Sequence, residues 1–228
     1  MNDKQRELVK TARVAGIWYL LLAVSGILGF MVFHPQVYSS DPVETLTNLT
    51  DPDSLARLRL IFELLLVLSQ ALAALWFYRL FRSISDWKAW AVGIWGTINA
   101  VVIMISAISM AAAIQIANSS AQSYDDKMVL IALLGELIKH SWNIGGLFFG
   151  LWLIPMGHIV VTSKRWPLWL GRVLVLGGVG YIVSTLLYYA GVKHSLLDVL
   201  TIPATLGEFW MIGYLLIYGI RPGDEPEQ

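Results

Sequence analysis

Three ionisable side chains stand out because they fall inside or at the edge of long apolar segments, where charged groups are costly to bury. Glu63 lies roughly 8 Å and Glu208 roughly 10 Å inside the ends of two such segments, at about 1.5 Å of rise per residue. His140 lies at the start of a third segment. Two carboxyl groups beside an imidazole are suited to proton transfer. We therefore predict Glu63, Glu208 and His140 as candidate catalytic residues.

Other polar side chains share helical faces with these residues. Arg59 precedes Glu63 by four residues and Gln70 follows it by seven, so one face of a helix carries all three. Asn143 follows His140 by three residues on another predicted helix. These spacings predict a polar pocket closed on one side by packed apolar side chains. The predicted ligand-binding residues are Arg57, Arg59, Gln70, Asn143 and Trp210.

The same residues also have purely structural interpretations, which the sequence leaves open. Arg59 and Glu63 form an ion pair that would fix one helix, and Arg57 would anchor its end at the membrane surface. His140 would hydrogen-bond a neighbouring helix. Glu208 is the hardest to explain in this way, because its own helix carries no basic residue. It must be either protonated or paired across the bundle.

The composition places these residues in a membrane protein. Hydrophobic residues make up 57% of the 228 residues and charged residues only 14%, against roughly 25% charged in soluble domains. The apolar runs are long enough to cross a bilayer core of about 30 Å. We predict an all-α bundle of six transmembrane helices, forming a single domain over residues 1–221. The predicted spans are Val14–Phe33, Leu58–Phe81, Ala89–Ala112, Trp142–Thr162, Leu168–Ala190 and Thr201–Ile220.

The distribution of basic residues predicts the orientation of the chain. Eleven of the sixteen Lys and Arg residues fall on the side that holds both termini, and five, including Lys193, fall on the other. Because the basic side faces the cytoplasm, we expect both termini to be cytoplasmic. The polar pocket would then open toward the outer leaflet.

Smaller features refine this prediction. Ser40 or Asp41 is expected to cap a short surface helix, and His34-Pro35 and Asp51-Pro52 to interrupt helices. The periodic segment 125–139 either extends the fourth spanning helix or forms a separate interfacial helix. Gly146 and Gly150 have the spacing that lets another helix approach closely. Residues 222–228 are predicted to be a disordered tail.

Several function classes are excluded. A net charge of zero provides no basic surface for nucleic acid. The absence of cysteine removes thiolate chemistry and cysteine-held metals. No phosphate-binding loop, dinucleotide fingerprint or hydrolase motif is present. We predict no cofactor, and no metal site, since one histidine and two carboxyl groups from three helices are a weak metal signal.

Four segments resemble the bacterial membrane proteins named "domain of unknown function 4386". They are TARVAGIWYLLLAVSG, ARLRLIFELL with ALWFYRLF, KHSWNIGGLFFGLWLIPMGHIVVTS, and IPATLGEFWMIGYLLIYG. The resemblance implies a six-helix protein of the bacterial plasma membrane in which Arg57, Glu63, His140 and Glu208 belong together. It implies no activity. The matching positions are Arg57, Glu63, Arg79, His140, Gly150, Gly157, Pro203, Gly207 and Glu208.

Three functions therefore stay open at the level of the sequence. The first is the binding or acid–base conversion of a small lipophilic molecule, such as a prenyl or terpene-like compound, in the outer leaflet. The second is a non-catalytic partner or immunity-type membrane protein. The third is a proton-coupled transporter. The lipid bilayer is the one partner that the sequence predicts, and a protein partner is left open.

Overall fold

The computed structural model of the chain describes residues 3–51, 55–192 and 196–223. All regular secondary structure in these ranges is helical. Within the described ranges, six helices are long and apolar enough to cross a membrane, which confirms the predicted all-α class and the number of spans. They comprise Asp3–Val37, Ala56–Phe81, Asp86–Asn118, Tyr124–Ser163, Leu168–Tyr189 and Leu197–Ile217.

The first spanning helix continues past its predicted end. Helix α1, Asp3–Gly26, passes into a π-helical stretch, Ile27–Phe33, and then into the short α2, His34–Val37. The backbone N–H of His34 donates to the carbonyl of Gly29, five residues earlier. The expected break at His34-Pro35 is therefore wrong, because Pro35 stands in the first turn of α2, where a missing N–H is tolerated.

A short capped helix follows the first span. Helix α3, Pro42–Thr50, begins after Asp41, whose carboxylate accepts a hydrogen bond of 2.9 Å from the backbone N–H of Val43. This confirms the predicted N-cap and selects Asp41 over Ser40. The predicted interruption at Pro52 lies outside the described residues.

The remaining helices are α4 (Ala56–Phe81), α5 (Asp86–Asn118), α6 (Tyr124–Ser163), α7 (Leu168–Tyr189) and α8 (Leu196–Ile217). Helix α6 has 40 residues, roughly 60 Å of rise. It includes the segment 125–139 without interruption, so that segment extends the spanning helix. No cap or breaker residue separates it from the apolar part of α6.

The chain divides into two compact units. The first unit comprises Met1–Leu20, Gln70–Asn99 and Gly146–Gln228, and the second comprises Leu21–Ser69 and Ala100–Gly145. The single-domain assignment of residues 1–221 and the orientation of the termini stay predictions. Lys193 lies outside the described part of the chain. So do residues 224–228 of the predicted disordered tail.

Glycines bring the helices of the first unit into close contact. A Cβ atom added to Gly150 would lie 2.5 Å from the carbonyl oxygen of Gly178, and one added to Gly157 would lie 2.6 Å from that of Gly171. Helices α6 and α7 therefore touch through their backbones at two levels. This confirms that the spacing of small residues on α6 admits a neighbouring helix.

The second unit packs around an apolar cluster that connects the short helices to the long ones. Its fully buried members include Val37 of α2, Leu49 of α3, Met110 of α5 and Ile138 of α6. This packing fixes the end of the first spanning helix and the ends of α4, α5 and α6, which carry most of the predicted site residues.

Candidate functional site

A buried ion pair on α4 lies in the second unit. One terminal nitrogen of Arg59 donates to Oε2 of Glu63 at 2.6 Å, and the other donates to Oε1 at 3.2 Å. The Arg59 side chain is 0% exposed and that of Glu63 is 1% exposed. The four-residue spacing therefore produces a two-bond pair within one helix.

Two neighbouring helices complete the environment of Glu63. Ser106 of α5 donates a hydrogen bond to Oε1 at 2.5 Å, and the indole Nε1 of Trp142 on α6 donates to the same oxygen at 3.0 Å. Together with the two bonds from Arg59, the carboxylate accepts four hydrogen bonds from residues that the structure describes. Glu63 thus connects α4 with α5 and α6.

The π-helical stretch approaches this pair from α1. A Cβ atom added to Gly29 would lie 3.2 Å from Cβ of Phe62, 3.6 Å from the backbone nitrogen of Glu63 and 3.7 Å from the carbonyl oxygen of Arg59. The wider turn of a π-helix changes the direction of the residues that follow. His34 and Tyr38 are the polar aromatic residues that follow.

A row of stacked rings connects those two residues to Trp142. The ring of Tyr38 stacks on His34 with centroids 5.1 Å apart, His34 stacks on Phe30 at 4.9 Å, and Phe30 stacks on Trp142 at 4.0 Å. The row ends at the indole that donates to Glu63. The rings and the ion pair therefore form one continuous cluster in the second unit.

Three buried polar atoms of this cluster have no hydrogen-bond partner among the described residues. They are Nε of Arg59, Oη of Tyr38 and Nδ1 of His34. Burial raises the pKa of the Tyr38 phenol to about 12, with the charge of Arg59 acting against this shift and that of Glu63 adding to it. The phenol is therefore a hydrogen-bond donor at neutral pH.

Glu208 lies in the first unit with partners of its own. Oη of Tyr19 donates to Oε1 of Glu208 at 2.7 Å. Tyr19 is 1% exposed and packs edge-to-face against Phe77 and Trp152, with ring centroids 5.4 and 5.1 Å apart. Glu208 is half-buried. Because Glu63 and Glu208 belong to different units, their action as an acid pair stays a prediction.

Gln70 and Asn99 form a second polar contact in the first unit. Nδ2 of Asn99 is 3.5 Å from Oε1 of Gln70, and both side chains are buried. Nε2 of Gln70, Oδ1 of Asn99 and the indole Nε1 of Trp152 have no partner within residues 3–51, 55–192 and 196–223. All three residues Arg59, Glu63 and Gln70 are on α4, but Gln70 belongs to the first unit and the other two belong to the second.

The other predicted residues are more exposed. Nε2 of His140 lies 3.6 Å from Oε2 of Glu136, one turn earlier on α6. Asn143, which like His140 belongs to the second unit, is half-buried. Arg57 is exposed and lines a groove of about 590 Å³ with Gln115. Trp210 is 42% exposed and lines a groove of about 710 Å³ in the first unit. Their roles in binding or catalysis stay predictions.

No group of three or more His, Asp or Glu side chains that could hold a metal ion occurs in the described ranges. The chain supplies no cysteine ligand. The arrangement around Arg59 offers hydrogen-bond donors instead, and donors suit an oxygen of a ligand better than a cation.

Sequence reasoning missed several residues of these clusters. The His34-Pro35 pair predicts a helix break, and no spacing argument singled out Trp142 or Ser106. Tyr19 carried no signal, because its partner Glu208 is 189 residues away. The uninterrupted apolar run through Phe33 was the available sign that His34 could remain on the helix.

Comparison with known proteins identifies a family but no activity. A family model described as Domain of unknown function (DUF4386) matches residues 14–219. An uncharacterized protein of Archaeoglobus fulgidus is 30% identical over 70 residues, which cover 31% of this chain and 43% of that protein. The matched region therefore spans less than half of the length of this relative. No solved structure matches the chain.

Proposed function

The chain belongs to the family described as Domain of unknown function (DUF4386), and from its geometry we propose that it binds the polar end of a small, uncharged lipophilic molecule through Arg59, Tyr38 and His34. One observation carries the proposal. The guanidinium of Arg59 is completely buried, yet its Nε has no partner in the described part of the chain.

The energetic argument starts from the unpaired donors. A buried donor or acceptor without a partner costs about 1–3 kcal/mol, and native proteins contain few such groups. Here three occur in one cluster. A ligand oxygen that accepts from Nε of Arg59 and Oη of Tyr38 would remove this cost, and His34 could donate or accept beside it.

The charge of the cluster selects the class of ligand. The positive charge of Arg59 is already balanced by Glu63, because the guanidinium donates a hydrogen bond to each carboxylate oxygen of Glu63. An anion would compete with Glu63 for the same guanidinium. A carbonyl, hydroxyl or ether oxygen needs no added counter-charge, so an uncharged ligand fits best.

The surroundings select a lipophilic body for that ligand. The ring of His34, which carries one of the unpaired atoms, stacks on Phe30, and Phe30 stacks on Trp142. These residues lie on helices that are long and apolar enough to span a bilayer. A molecule that reaches them from the membrane would place its apolar part against rings and lipid. With both termini in the cytoplasm, this site would lie in the outer leaflet.

In this proposal Glu63 positions Arg59. Both oxygens of Glu63 already accept hydrogen bonds from Arg59, Ser106 or Trp142, so proton transfer through Glu63 would require those bonds to break. Acid–base conversion by Glu63, Glu208 and His140 is the further step that the sequence predicts. The partner-protein and transporter alternatives stay predictions as well.

The test compares the ligand content of two tyrosine variants. Tyr38→Phe removes only the unpartnered hydroxyl, whereas Tyr124→Phe makes the same change at an exposed tyrosine of the same unit. Native mass spectrometry and extraction of the detergent-purified protein are expected to find an uncharged, oxygen-containing molecule on the wild type and on Tyr124→Phe. Tyr38→Phe is expected to lose it. Equal retention in all three proteins, or no bound molecule in any, would overturn the proposal.

A further inference from the structure

We propose that Glu208 and the aromatic side chains around it bind a lipophilic organic cation. This site lies wholly within the first unit and does not depend on the function proposed for Arg59. Its ligand would be a quaternary ammonium, a phosphonium or a protonated amine with a large apolar body.

The first argument is the missing counter-charge. Glu208 lies on α8, a helix long and apolar enough to span a membrane. Within the described residues, its carboxyl group has the hydrogen bond from Tyr19 and no Lys, Arg or His nitrogen within 4.0 Å. A carboxyl group in such a place either keeps its proton or needs a cation to balance its charge, so a bound cation would stabilise the ionised form.

The second argument is a row of aromatic rings that begins at the hydrogen-bond partner of Glu208. Tyr19, which donates to Glu208, packs on Trp152. Trp152 packs on Phe149 with centroids 5.2 Å apart, and Phe149 packs on Tyr181 at 5.4 Å. The carboxyl group is therefore linked through Tyr19 to a row of four aromatic rings.

This combination favours an organic cation over a metal ion. Aromatic faces attract cations within about 6 Å of the ring centre, and the attraction is strongest for weakly hydrated, quaternary ions. Metal ions such as Ca²⁺ instead require about six or more oxygen ligands. The described part of the chain holds no group of three or more acids or histidines that could bind a metal ion.

The experiment measures binding of tetraphenylphosphonium to the full chain in lipid nanodiscs by equilibrium dialysis. Tetraphenylborate, which has nearly the same shape and the opposite charge, is the ligand control. Glu208→Gln removes the charge and keeps the size. Glu7→Gln, an exposed acid of the same unit, is the matched control.

We expect saturable binding of tetraphenylphosphonium to the wild type and to Glu7→Gln, and binding weaker by about tenfold or more in Glu208→Gln. Tyr38→Phe should bind as the wild type does, which separates this site from the one at Arg59. Equal binding by Glu208→Gln, or absence of saturable binding, would overturn the inference. If Glu208→Gln does not fold, the test is the binding of the two ions to the wild type. Stronger binding of tetraphenylphosphonium supports the site, and equal binding of tetraphenylborate refutes it.

Discussion

Arg59 donates two hydrogen bonds to the carboxylate of Glu63, one turn later on α4, and neither side chain reaches solvent. An exposed pair with this spacing contributes only a few tenths of a kcal/mol. A buried pair behaves differently, because removing one partner leaves an uncompensated charge in an apolar environment. The network around Glu63 is thus expected to be sensitive to single substitutions.

Replacing Glu63 with glutamine should destabilise the protein by about 3–5 kcal/mol, since Arg59 would lose its counter-charge. The free energy of unfolding in detergent, measured by denaturant titration, tests this. Arg57→Gln, which changes an exposed charge on the same helix, should have little effect. Replacing both Arg59 and Glu63 with methionine should recover part of the loss. A Glu63→Gln variant as stable as Arg57→Gln would contradict this account.

The elements of the fold were predictable because their signals are local. Apolar runs of about twenty residues predict the six spans, and a capping residue at Ser40 or Asp41 predicts the start of α3. The shared face of Arg59 and Glu63 follows from their spacing.

The completion of the candidate site was not predictable, because its contacts join distant parts of the chain. Ser106 and Trp142 are 43 and 79 residues from Glu63. Both residue types are common in membrane helices without any such role. The position of His34 on the helix was not predictable, because the proline that follows it usually ends a helix. The π-helical stretch before His34 has no known sequence signature either.

Gly150→Ala should destabilise the first unit, because the new Cβ atom would lie 2.5 Å from the carbonyl oxygen of Gly178. Forcing a methyl group into such a contact typically costs about 1–3 kcal/mol. Gly213→Ala is the matched control, since its Cβ atom would meet nothing within 4 Å. Thermal unfolding of both variants in detergent should show a lower midpoint only for Gly150→Ala. Equal midpoints would mean that α6 and α7 are not in backbone contact there.

Tyr38 should make stability fall at alkaline pH. Its pKa is raised from 10.0 to about 12 by burial, with Arg59 opposing and Glu63 adding to the shift. A raised pKa means that the folded protein holds the proton longer than the unfolded chain. The contribution is complete below about pH 10 and is lost as the pH rises toward about 12.

The Tyr38→Phe variant tests this directly. Its free energy of unfolding should decline less than that of the wild type between pH 10 and about 12, and Tyr124→Phe should decline as the wild type does. An identical decline in all three proteins would show that the Tyr38 phenol titrates normally.

The predicted orientation can be tested because the chain contains no cysteine. Ser83, exposed between α4 and α5, and Ser120, exposed between α5 and α6, are each replaced with cysteine. A membrane-impermeant maleimide applied to intact cells should label Ser120→Cys at once. Ser83→Cys should be labelled only after permeabilisation. The reverse pattern would place both termini outside the cytoplasm.

The most direct measurement is an experimental density map of the wild-type protein purified in mild detergent, at a resolution that separates the side chains of Arg59 and Tyr38. The proposed function predicts density larger than a water molecule, with an atom within about 3 Å of both Nε of Arg59 and Oη of Tyr38. That density should be absent from a map of Tyr38→Phe. Water alone at this position, or no density beyond the protein, would contradict the proposal that the cluster binds a lipophilic molecule.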